Sequence, residues 1–65
     1  MKVERIKQLI FISKKSSVGI MCKKCSEDYI NYNKLFELGL MNKSVLGTNY
    51  IFEVNEKSLE FLRKS

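Results

Sequence analysis

The hydrophobic period of the chain changes once, at Gly39. Before that residue apolar side chains recur every third or fourth position, and from Tyr50 to Val54 they alternate along the chain. The first spacing belongs to helices and the second to strands. A chain that carries both in succession, with no proline anywhere, is expected to be an α+β domain, mostly α, in which helices precede a β-hairpin.

The first helix is predicted from Val3 to Ile12. Val3, Ile6, Leu9 and Ile10 form one stripe, with Lys2, Arg5, Lys7 and Gln8 on the wet side. Phe11 and Ile12 widen the apolar surface beyond one core face. The polar cluster Ser13-Lys14-Lys15-Ser16-Ser17 ends this helix and offers Ser16 or Ser17 as the next N-cap.

A second short helix is expected over Val18–Cys25, because Val18, Met21, Cys22 and Cys25 stand at i, i+3, i+4 and i+7. Ser26 can cap a third helix whose first turn holds Glu27 and Asp28, acids that favour the positive end of a helix. Tyr29, Tyr32, Leu35 and Phe36 form its apolar side, and Gly39 stands just past its end. The stripe Val18, Cys22, Cys25, Tyr29, Tyr32, Phe36 also fits one unbroken helix. Ser26 followed by two acids argues for a break.

Beyond Gly39, Leu40–Val45 and Tyr50–Val54 flank a turn at Leu46-Gly47-Thr48-Asn49, which reads as a hairpin. Asn55 caps a last helix with Glu56 in its first turn, Leu59 and Leu62 on its apolar face beside Phe61, and Arg63-Lys64 at its negative end. The expected order is three helices, a two-stranded hairpin and a short C-terminal helix, in one domain spanning residues 1–65.

Two segments resemble the winged helix-turn-helix regulators of archaea and bacteria. Leu35-Phe36-Glu37-Leu38-Gly39-Leu40-Met41 is similar to the end of their recognition helix, where a glycine turns the chain and the next two apolar residues begin the wing. Tyr50-Ile51-Phe52-Glu53-Val54-Asn55-Glu56-Lys57-Ser58-Leu59-Glu60-Phe61-Leu62 is similar to the junction of the last wing strand with a closing helix, often written Thr-Glu-Lys-Gly. Asn55 stands where threonine is usual and Ser58 where glycine is usual. Together the motifs span residues 35 to 62, and Ile20-Met21 resembles a pair found in helix two of some small archaeal members.

The resemblance implies a winged helix that binds double-stranded DNA, with the third helix in the major groove and the wing braced on the backbone. Composition agrees in sign. Twelve Lys and Arg against seven Asp and Glu give a net charge of +5 and a pI near 9.4. Most of the bases are lysines, which suit phosphate contact better than bidentate base readout. Lys14, Lys15, Lys23, Lys24 and Lys43 are the expected phosphate contacts. Asn31, Asn33 and Lys34 are the groove candidates on the third helix, and Thr48 and Asn49 are candidates for the wing tip.

Other chemistry finds little material. The chain has no histidine, a single aspartate and no glycine-rich phosphate loop, so no enzyme is expected. Cys22-Lys23-Lys24-Cys25 has zinc-knuckle spacing, but tetrahedral zinc needs four ligands and no histidine or third cysteine is present. Both cysteines are read as small core hydrophobes, with no metal and no cofactor. No apolar run is long enough to span a bilayer or form a signal-peptide core, which makes a cytoplasmic location the expectation. Phe11 beside Ile12 is the candidate contact of a homodimer. The alternative reading is a winged-helix protein-interaction module, such as an accessory or inhibitor protein of a mobile element.

Overall fold

The structure, a computed structural model, describes residues 2–16 and 18–64. Along the chain it forms α1 (Val3–Lys15), β1 (Ile20–Lys23), α2 (Glu27–Glu37), β2 (Met41–Leu46), β3 (Asn49–Val54) and α3 (Glu56–Lys64). The helices, of 13, 11 and 9 residues, make up about half of the chain. The strands form one antiparallel sheet in the order β1-β3-β2.

The fold is therefore α+β as expected, but one element differs in kind. The segment expected to form a second helix over Val18–Cys25 is a turn followed by strand β1. Its apolar residues obey a period of two as well as they obey the helical one. Cys22 and half-buried Ile20 point into the core, while Met21 and Lys23 point to water. Val18 is 75% exposed and Cys25 is exposed too, so neither joins the stripe expected of them. What decides the matter is β3, whose free edge takes up β1 through the pairs Ile20–Phe52, Met21–Ile51, Cys22–Tyr50 and Lys23–Asn49. The hairpin is thus part of a three-stranded sheet, and among the described residues one helix, not two, lies between α1 and β2.

Gly19 makes this junction possible. Its φ is +85°, and a Cβ there would lie 2.7 Å from the Phe52 carbonyl oxygen. Only glycine tolerates both the left-handed backbone and so close an approach. Ser16 closes the turn by donating its hydroxyl to the Gly19 carbonyl at 2.8 Å. Ser17, the other candidate cap, lies outside the described residues. Ser13, read as part of the polar end of α1, is a core-facing residue within that helix and is 1% exposed.

The caps of α2 follow the sequence closely. Ser26 Oγ accepts from the Tyr29 amide at 3.1 Å. At the other end Gly39 has φ +80°, its amide donates to the Phe36 carbonyl at 3.0 Å, and the Leu40 amide donates to the Leu35 carbonyl at 2.9 Å. This pair of bonds is the Schellman ending that a glycine in this position permits.

One face of the sheet carries Ile20, Cys22, Met41, Phe52, Val54 and Tyr50, and the helices cover it. Ile6, Leu9 and Ile10 of α1 meet Tyr32 and Leu35 of α2 over Phe52, Met41 and Cys22. Burying each of the larger apolar side chains contributes about 1.5–3 kcal/mol relative to exposure. The Tyr32 hydroxyl donates to the Leu9 carbonyl at 3.1 Å and joins α2 to α1 across the core. Burial and, secondarily, Asp28 and Cys22 push this phenol up to about 12, against a smaller lowering by Arg5. Helix α3 packs on α1 and β3.

Asn55 fixes the start of α3. Its Oδ1 accepts from the Ser58 amide at 2.9 Å, and its own amide donates to Ser58 Oγ at 2.8 Å. This is the reciprocal geometry of a capping box, with serine in place of the usual glutamate. Asn55 Nδ2 also donates to the Gly39 carbonyl at 3.2 Å, so α3 is anchored to the turn that ends α2.

Candidate nucleic-acid interface

Eight of the ten residues expected to meet DNA fall into three places. Lys23 ends β1 directly across from Asn49, the first residue of β3. Lys24 follows in the turn toward α2. Leu46 pairs with Asn49, so Gly47 and Thr48 alone form the hairpin turn. Gly47 supplies, at φ +63°, the positive angle a tight hairpin needs at its first turn position. Register thus gathers Lys23, Lys24, Thr48 and Asn49 at one end of the sheet. Lys23, Lys24 and Thr48 are exposed, while Asn49 is half-buried, its amide 3.7 Å from Met21 Sδ. The lysines lie at the end of a strand and not, as expected, near the end of a helix.

Lys14 and Lys15 occupy the last turn of α1. Lys14 borders an open groove between α1 and α3 together with Leu59, Leu62 and Arg63. Arg63 is a basic neighbour that sequence reasoning did not connect with Lys14, since only the packing of α3 on α1 brings them together. Lys15 Nζ lies 4.5 Å from the centre of the Phe11 ring, one helical turn back.

The third place is the seam between α2 and β2. Lys43, expected at the start of the wing as a phosphate contact, is the third residue of β2 and sits on the inward face beside Phe52. Its ammonium donates to Tyr29 Oη at 3.0 Å and to Asn33 Oδ1 at 2.9 Å. It also lies 4.9 Å from the Tyr50 ring centre, 5.0 Å from that of Tyr29 and 5.3 Å from that of Phe36. A cation so placed is held by hydrogen bonds and ring quadrupoles at once. The other end of the Asn33 amide donates to Glu37 Oε1 at 3.1 Å. Lys43 and Asn33 therefore satisfy each other within the fold. Tyr29, expected in the core, is half-buried and joins this cluster, 4.9 Å from the Tyr50 ring and 5.9 Å from that of Phe52.

On α2 that leaves Lys34, which is exposed, and Asn31, which is half-buried. The exposed side of this helix runs through Glu27, Ile30, Lys34, Glu37 and Leu38. With Asp28, the helix carries three acids and one base. Most of the positive charge of the chain lies elsewhere, on α1, at Lys23-Lys24 and at the end of α3.

The two cysteines part company. Cys22 is buried, and burial, with a smaller contribution from Asp28, raises its thiol pKa. Cys25 is exposed in the turn, with φ +71°. Among the described residues no group of three or more Cys, Asp or Glu side chains could hold a metal ion. No described helix is long and apolar enough to cross a membrane. No protein-family model, curated protein or solved structure matches the chain.

Proposed function

We propose that the chain is a DNA-binding protein of winged-helix type, a transcriptional regulator that grips duplex DNA chiefly through its phosphates. The observation that carries this reading is the pairing of Lys23 with Asn49. It sets two exposed lysines, Lys23 and Lys24, beside the hairpin turn, where a wing tip would brace on the backbone. The resemblance of residues 35–62 to winged-helix regulators supports the same reading. The acids of α2 oppose close approach to phosphate. In this proposal α2 lies over the groove with Asn31 and Lys34 as its readers and does not enter deeply.

A titration of mixed-sequence duplex at two salt concentrations tests the proposal. Affinity should fall as salt rises, because each phosphate contact releases counterions. Lys23→Ala and Lys24→Ala should each reduce the slope of log K against log salt by about one unit and weaken all sequences alike. Asn31→Ala or Lys34→Ala should instead erode preference for a cognate site, by about 1–3 kcal/mol where a bidentate contact is lost. Neutralising Glu27 and Asp28 should tighten non-specific binding. Absence of binding at low salt would refute the proposal.

One observation favours the second reading, a module that binds a protein. Ile30 and Leu38 stand exposed among acids on the outer side of α2, a mixed surface better suited to a protein than to a phosphate backbone. Loss of partner binding on Ile30→Ser, with no measurable DNA affinity, would decide for it.

A further inference from the structure

We propose that a second copy of this chain docks on the outer face of α1, antiparallel to it, to form a two-fold dimer. Five residues define that face: Glu4, Gln8, Phe11, Ile12 and Lys15. Their spacing of four, three, one and three residues places them on one side of a helix, and all five are exposed. Phe11 and Ile12 are each 51% exposed although they are the largest apolar groups of the helix outside its core stripe. The stripe of Ile6, Leu9, Ile10 and Ser13 that packs inward occupies the other side.

The charges on this face identify the occupant. Glu4 lies at one end and Lys15 at the other, eleven residues or about 16 Å apart along the axis. In an antiparallel pair centred between Leu9 and Ile10, residue i meets residue 19 − i. Glu4 then faces the partner's Lys15 at both ends, and Gln8 faces the partner's Phe11 in the middle. A parallel pair would instead oppose Glu4 to Glu4 and Lys15 to Lys15. The face is therefore complementary to itself in one orientation only, which is the property an isologous interface requires. Lys15 Nζ lies 4.5 Å from the centre of the Phe11 ring, which keeps this charge on the same face as the apolar pair.

A pair of 13-residue helices covers less than the roughly 1,600 Å² of a standard interface, so the dimer is a weak one with a dissociation constant on the order of 100 µM. Sedimentation of the full chain without DNA tests the proposal independently of the DNA reading. The weight-average mass should rise from 7.6 kDa toward twice that value as protein concentration rises through that constant. Glu4→Lys alone and Lys15→Glu alone should each shift the transition at least tenfold upward, and so should Phe11→Ser. The double swap Glu4→Lys with Lys15→Glu should restore it. All three positions are exposed, and circular dichroism checks that each variant is folded. A chain that stays monomeric at ten times that constant overturns the proposal, as do single reversals that leave the transition in place. A double swap that fails to recover dimerisation overturns it equally.

Discussion

The ammonium of Lys43 and the side-chain oxygen of Asn33 meet at 2.9 Å, joining the middle of β2 to α2. The same nitrogen bonds Tyr29 Oη, so one lysine holds two positions a turn apart on the helix. Together these contacts tie α2 to β2 at the edge of the core. A basic residue in a basic protein invites a reading as a ligand contact, yet here its donors are directed inward.

Lys43→Ala should therefore destabilise the fold, by about 1–2 kcal/mol for the charge-assisted bonds lost from a half-buried site. Lys43→Met keeps the apolar stem among the rings of Tyr29, Phe36 and Tyr50 and should lose less. Urea denaturation measures both. Neither change should alter the salt slope of DNA binding, in contrast to Lys23→Ala.

Ser13 presents the opposite case. Its hydroxyl is buried on the core face of α1 with no hydrogen-bond partner among the described residues. A buried hydroxyl without a partner costs about 1–3 kcal/mol, and alanine is also the better helix former. Ser13→Ala is expected to raise stability by about 1 kcal/mol, seen as a higher melting temperature with the circular-dichroism spectrum unchanged.

Ser58 is buried as well, but it is satisfied on both sides by Asn55. Removing either partner opens the cap of α3. Ser58→Ala and Asn55→Ala should each cost about 1–2 kcal/mol, with the double variant costing much less than the sum. Additive losses in denaturant titrations would show that the two residues act separately.

Tyr32 gives the fold an alkaline limit. Its phenol is raised to about 12 in the folded chain, against an ordinary value of 10.0. The folded state therefore holds the proton more tightly than the unfolded state. Stability from this group is fully present below pH 10 and is lost as pH rises from about 10 through about 12. The melting temperature should fall across that interval, and Tyr32→Phe should flatten the fall. The same substitution gives up the bond to the Leu9 carbonyl and should cost about 1 kcal/mol at neutral pH.

Much of this architecture was legible in local chemistry. Ile6, Leu9 and Ile10 of the α1 stripe, the Ser26 and Asn55 caps, Gly39 and the alternation of β3 each depend on neighbours within a few residues, and each appears where the sequence places it. Val3, read into the same stripe, is instead 53% exposed. Segment 18–25 is different. Over so short a stretch Val18, Met21, Cys22 and Cys25 fit a helix, while Ile20 and Cys22 against Met21 and Lys23 fit a strand. The choice was made by the open edge of β3 about thirty residues away and by the positive φ of Gly19, neither of which a local pattern reports. The same limit applies to the site. Lys14, Lys23, Lys34 and Lys43 are equivalent as letters, and only the register of β2 on β3 shows that one of them is directed inward and engaged.

That inward lysine also bears on how the protein stays dispersed. In the order β1-β3-β2 the strand β2 is an edge, a row of amides and carbonyls open to another chain. A charge on the covered face of an edge strand penalises any further strand added there, because the ammonium would lose its remaining access to water. Val45 and Leu46, two and three residues further along β2, are exposed and apolar and would otherwise favour such stacking. Lys43→Met, the gentler substitution for stability, would accordingly be the more hazardous one at high concentration, since it removes the charge that keeps the sheet three strands wide and gives the chain a route to fibres.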